Sequence, residues 1–301
     1  VEKKECKAAD PRRGGIGRSS PGLIHGPLSR MLLATTVLVV GYFSISAMLK
    51  PLTRLMKPEE TSGRPIRAIL TALAMFYLYR LLFTIYEKRK VSELARSRFP
   101  REALLGLAAG MLMMAGAVSL LAILGYYGIM AWKFSWVKIL AGFSILFALA
   151  AVEEIVFRGV IFRIMEEWLG LHPALLISAL LFGLAHLPTP GANLLSVISA
   201  VSGGIMMCLA FSLTQRLWLP VFMHAGWNFA QVLFGLTVSG LSEFNGYSPL
   251  QSRLHGPELL TGGKFGIENS IPAIAMVIGV SILLGILQAK SKTRGAKNGA
   301  A

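Results

Sequence analysis

Three short patterns carry polar chemistry into apolar sequence: Glu153-Glu154-x-x-x-Arg158, Phe182-x-x-x-His186 and His224-x-x-x-Asn228. Each contains a pair spaced i, i+4, which turns both side chains to one face of a helix. Three helices can therefore aim polar faces at a single enclosed cavity. Two carboxylates and two imidazoles suffice for hydrolysis, because a carboxylate can take a proton from water while a second group orients it. The same set can hold a metal, since Glu153, His186 and His224 offer the donor types of a catalytic Zn2+, which lowers the pKa of a bound water. The His-Glu-x-x-His helix of common zinc proteases is absent, so local spacing leaves a zinc-bound and a carboxylate-activated water both open. The Asn228 amide can donate to a developing oxyanion.

These groups are costly where they stand. An acidic residue at the centre of a membrane helix costs roughly 2.5 to 3.5 kcal/mol on insertion scales. Arg158, four residues after Glu154, offsets part of that cost through a charge-assisted hydrogen bond. Glu153 is turned about 100° away from Glu154 and needs a different partner. Phe182 reads as packing, and Met206, Met207 and Cys208 as helical filler. With only two cysteines, Cys6 and Cys208, no disulfide framework is expected.

The elements that must position these residues are membrane helices. Of the 301 residues, 54% are apolar and 15% charged, against about 25% charged in soluble proteins. Eight runs approach the roughly 20 residues that a span needs: about 31–49, 68–86, 103–127, 139–157, 173–187, 194–215, 218–236 and 271–289. The fold class expected is all-α, a polytopic membrane helical bundle of about eight transmembrane helices. The apolar run after Met31 reads as a retained first helix rather than a signal sequence.

A net charge of +15 suggests nucleic acid until its placement is considered. With the N-terminus inside, inner segments hold 20 of the 30 Lys and Arg residues and outer segments 9. That bias predicts cytoplasmic termini in a plasma (inner) membrane, with membrane lipid rather than nucleic acid as the basic partner. The outer residues Lys50, Arg54, Lys57, Arg64 and Arg67 run against it.

The organisation expected is a basic, disordered tail over 1–30, three helices over 31–136, a catalytic helical core over 137–236, an outer loop and last helix over 237–289, and a basic tail over 290–301. Gly106, Gly110, Gly203 and Gly204 are read as points of close helix approach. The fourth helix should outlast its apolar core by two or three turns, reversing near Leu171, which brings Glu153 and His186 to similar heights. His224 fits less well, because ideal straight helices would separate it from His186 by more than about 10 Å of depth.

The three patterns, in this order and inside spans, resemble the CAAX protease and bacteriocin-processing family of intramembrane proteases, which includes the type II prenyl endopeptidases. The resemblance covers roughly residues 137–236. It implies hydrolysis of peptide bonds of a protein or peptide substrate in a membrane cavity, with Glu153 and His186 activating water and His224 and Asn228 supporting the oxyanion. Glu154 and Arg158 would orient those groups. The family's distribution implies a bacterial source. Two other functions use the same residue types: a proton- or ion-coupled transporter, whose expected repeat symmetry is not seen, and a non-catalytic protein conferring immunity to a peptide toxin.

Overall fold

The computed structural model describes residues 26–298. The chain folds as a multi-pass membrane bundle. Among the described residues, six helices are long and apolar enough to cross a membrane: Pro27–Arg54, Glu59–Tyr86, Phe99–Ile123, Trp136–Leu169, Leu194–Thr214 and Ile271–Ser291. In chain order the elements are α1 (Pro27–Arg54), α2 (Arg64–Tyr86), α3 (Phe99–Ile123), β1 (Tyr127–Trp132), α4 (Trp136–Glu154), α5 (Arg163–Leu169), α6 (Leu171–Ala185), α7 (Leu194–Thr214), α8 (Trp218–Leu233), β2 (Leu250–Leu254), α9 (Glu258–Thr261) and α10 (Ile271–Asn298).

Two of the eight expected spans are shorter than a full crossing. α6 has 15 residues and α8 has 16; at 1.5 Å per residue they reach about 22 to 24 Å, against a hydrocarbon core of about 30 Å. Their outer ends therefore stop inside the bundle. The third span is also corrected, because α3 ends at Ile123 and Tyr127–Trp132 is a strand. Gly125 at φ 76° turns the chain there, in a region that glycine enters without strain.

At the chain ends the segment boundaries move. Residues 1–25 lie outside the described residues, and α1 already begins at Pro27, whose fixed φ suits a first helical position. α10 continues through the basic residues after 289 as far as Asn298, so most of the expected C-terminal tail is helix.

Burial sets the order of the bundle. The long helix Trp136–Leu169 has 61% of its apolar window buried, against 11% for Pro27–Arg54, so α4 is central and α1 faces lipid. Glycines draw the remaining helices onto it. A Cβ on Gly106 would lie 2.6 Å from the Leu219 carbonyl oxygen, and one on Gly110 only 2.1 Å from that of Met223. The α3 and α8 backbones thus touch, as small residues permit. Gly204 packs likewise, its Cβ position 2.9 Å from Ala179 Cα, whereas Gly203 faces open space instead of a neighbour.

The two ends of the bundle differ in kind. Where α1 and α8 begin and α2 and α5 end, arginines and glutamates form an ion cluster. At the opposite end residues 234–270 fold over the helices as a cap. β2 pairs antiparallel with β1, Tyr127 opposite Leu254, with a bulge between Ile129 and Ala131. Tyr127 donates its hydroxyl to the Phe234 carbonyl at 2.9 Å, and Tyr247 donates to the Glu60 carbonyl at 3.1 Å. The cap is therefore tied to the helices below it.

Candidate active site

The site begins where α4 changes its winding. Glu154 is the last residue of α4, and Ile155–Phe162 continue the helix with π-type turns. Wider i→i+5 turns recur at functional sites, because they shift side chains out of the regular register. Arg158 lies in this stretch and is fully buried. Its Nη1 donates to Glu154 Oε1 at 2.8 Å and its Nη2 to the Gly204 carbonyl at 3.1 Å. The guanidinium also covers the Phe182 ring, 4.5 Å from the centroid.

The Glu154–Arg158 pair in turn fixes His224. Nδ1 of His224 lies 2.9 Å from Glu154 Oε1, and an ion-paired carboxylate only accepts. The proton of the neutral ring is thus on Nδ1, and Nε2 presents a lone pair. Facing it is Glu153, whose Oε2 lies 3.9 Å from His224 Nε2. That oxygen is buried and has no hydrogen-bond partner, although the side chain as a whole is 36% exposed. Glu153 and Glu154 therefore differ: Glu154 Oε1 is held by Arg158 and His224, whereas among the described residues Glu153 accepts no side-chain hydrogen bond.

His186 is oriented by the same logic. It caps the C-terminus of α6, and its Nδ1 lies 2.8 Å from the Phe182 carbonyl, which can only accept. Nε2 is again the free nitrogen. The Phe182 ring sits 4.6 Å from the His186 ring and 6.1 Å from the His224 ring. Phe182 thus does more than pack, because it separates and aligns both imidazoles and Arg158. The depth gap expected of straight helices is closed, since α6 stops short, α8 lies against α3 and the π turns displace Glu154 and Arg158 from a regular helix.

A cavity of about 60 Å3 joins His186, His224, Asn228, Phe182, Gly203 and Glu268. A single water needs about 10 to 15 Å3 on this measure, so the cavity has room for a few waters and not for an extended peptide. Asn228 is 8% exposed and lines it, with no side-chain hydrogen bond among the described residues. Gly203, whose Cβ position is open, leaves space on the α7 side. Glu153 does not line this cavity and reaches the group through His224.

His186 Nδ1 is tied back to the Phe182 carbonyl, while Glu153 approaches His224. Among the described residues no group of three His, Cys, Asp or Glu side chains stands ready to hold a metal ion.

Sequence reasoning missed Glu268. This cap residue accepts hydrogen bonds from Trp227 Nε1 at 3.0 Å, Gln231 Nε2 at 2.6 Å and Ser239 Oγ at 2.7 Å. It is 8% exposed and lines the cavity. The one sequence signal was a lone acid between the apolar Phe265 and Ile267 and the last span.

The fold and this arrangement define a class first: a multi-pass membrane protein whose core encloses carboxylates, imidazoles and a carboxamide. The segment that builds it has relatives. Residues 134–230, from just before α4 to within α8, match the model of the type II CAAX prenyl endopeptidase Rce1-like family. A Bacillus subtilis (strain 168) protein named "Putative membrane peptidase YdiL" is 32% identical over 85 residues, which cover 28% of this chain and 33% of that relative. This helical core is thus similar to the Rce1-like family of CAAX-type membrane peptidases. The matched stretch spans about a third of the curated relative's length. No solved structure matches the chain.

Proposed function

We propose that the protein is an intramembrane endopeptidase that hydrolyses peptide bonds of membrane-associated proteins or peptides. The observation that carries this reading is Glu153 Oε2, buried without a partner and 3.9 Å from His224 Nε2. That separation is too long for a hydrogen bond, and a water beside the pair can reach both.

In the proposed reaction Glu153 takes a proton from this water as its oxygen attacks the substrate carbonyl carbon, with His186 Nε2 orienting it. The carbonyl oxygen becomes an oxyanion, which accepts from the Asn228 amide, while the His224 Nε2 lone pair accepts the second proton of the attacking water. Glu154 and Arg158 hold His224 in place. Collapse of the tetrahedral species breaks the C–N bond, and Glu153 returns its proton to the leaving amine. Because the cavity is smaller than a peptide and the cap residues Ser239, Phe265 and Glu268 line it, substrate entry requires the cap to move. The Lys and Arg bias favours both chain ends in the cytoplasm, and the family's distribution favours a bacterial plasma membrane.

The test is cleavage of a peptide library by the protein in lipid, in water enriched in 18O and with a chelator in a parallel arm. The expected result is one heavy oxygen in each new carboxyl terminus, unaffected by chelator. Cleavage lost to chelator and restored by zinc would replace the carboxylate-activated water with a metal-bound one. No cleavage at all would remove the reading.

A further inference from the structure

Glu268 has a place in the cavity that the proposed hydrolysis leaves unused. Its three side-chain partners, Trp227, Gln231 and Ser239, are all neutral, and no described residue forms an ion pair with it. The indole and the carboxamide nitrogen can only donate, so they pin the carboxylate without neutralising it. Its main chain is fixed as well, since Ser199 Oγ donates to the Glu268 carbonyl at 2.5 Å. The carboxylate is therefore buried, rigid, lacking a counter-ion and on the wall that also carries His224 and Asn228. Burying an uncompensated charge is unfavourable, and a cation entering the cavity would relieve that cost.

The shape narrows which cation fits. Met206, Met207, Phe265 and Val277 give the cavity apolar walls, and its volume of about 60 Å3 accepts a water-sized head with a short stem. A primary ammonium on an alkyl chain has this form, with an apolar stem and a compact donor head.

We propose that Glu268 is the anionic end of a subsite for a primary ammonium group of the substrate, a lysine side chain or an amino terminus, seated beside His224 and Asn228. The subsite rests on the peptidase reading for its biological ligand but not for its chemistry. Trp227 donates directly to Glu268 and so reports on it.

The experiment titrates the full chain in lipid with n-butylammonium and, separately, with the uncharged n-butanol, following tryptophan fluorescence. The expected result is a saturable change with the ammonium and none with the alcohol, lost in Trp227→Phe. In Glu268→Gln the affinity should fall about tenfold or more, as for loss of a charged hydrogen-bond partner. Glu268→Asp should retain part of it, which separates charge recognition from a role in merely tying down the cap. Equal responses to ammonium and alcohol in the wild type would overturn the subsite, whatever the variants do. Ammonium binding that persists in Glu153→Gln while cleavage stops supports both readings. Binding without any wild-type cleavage would sink the peptidase and leave the subsite standing.

Discussion

The ion cluster at one end of the bundle and the enclosed site at its centre use the same residue types to opposite ends. In the cluster Glu87 and Glu93 are each shared among arginines. Glu87 pairs with Arg30 at 2.5 Å, Arg89 at 2.7 Å and Arg163 at 3.3 Å. Glu93 pairs with Arg89 at 2.7 Å and Arg163 at 3.4 Å and accepts from Tyr79 at 3.1 Å. The same hydroxyl lies 2.9 Å from the Gly159 carbonyl and shares its one proton between the two acceptors, which ties the cluster to the π-turn stretch. In the enclosed site, among the described residues, Glu154 pairs with an arginine, while Glu153 and Glu268 pair with no arginine or lysine. Saturated charges hold helices together, while unsaturated ones are available for a reactant. Glu268 is buried about as deeply as Glu87 and Glu93; the difference lies in the partners.

The comparison can be broken most severely at Arg158. Arg158→Met leaves Glu154 buried and unpaired, which should cost about 3 to 5 kcal/mol and release His224. A large drop in melting temperature in detergent together with loss of cleavage is expected. A stable variant would mean that Glu154 is not the anchor described.

A smaller effect is expected in the cluster. Glu93→Gln removes one shared carboxylate and should cost about 1 to 3 kcal/mol, while cleavage per folded molecule stays within about twofold, since nothing there touches the reacting groups. Parallel thermal melts and cleavage rates check this, and a selective loss of rate would erase the division between the two regions.

The smallest effect concerns pH. Burial pushes the Glu87 carboxyl upward, but Arg163, Arg30 and Arg89 more than offset this and hold it below the ordinary carboxylate range. Folded Glu87 thus binds its proton less readily than unfolded Glu87. Its contribution is complete above the ordinary value of about 4.3 and is lost as pH falls through the lower folded value. Acid melts should therefore be steeper in the wild type than in Glu87→Gln, and equal slopes would show that Glu87 contributes no such linkage.

Local features of this molecule were legible in the sequence, and distant pairings were not. The i, i+4 pairs required only helix geometry, and Glu154–Arg158 forms as the spacing demands. The glycines Gly106, Gly110 and Gly204 marked real backbone contacts because small residues in apolar helices have few other uses. Gly203 looked the same in sequence but faces the cavity. The β1–β2 pairing joins Tyr127 to Leu254 across more than a hundred residues, with no turn signal to announce it. Glu268 reaches the site only because the cap folds back, and polar loop sequence does not encode that return. The π turns after Glu154 likewise follow from packing rather than from any residue preference.

The most direct measurement compares Glu153→Gln with Glu154→Gln in lipid, each assayed for peptide cleavage and thermal stability. Loss of the unpartnered base should lower the rate of Glu153→Gln by about a hundredfold or more with little change in melting, whereas Glu154→Gln should lose both rate and stability. Cleavage retained in Glu153→Gln would contradict the assignment of the free carboxylate as the group that activates water.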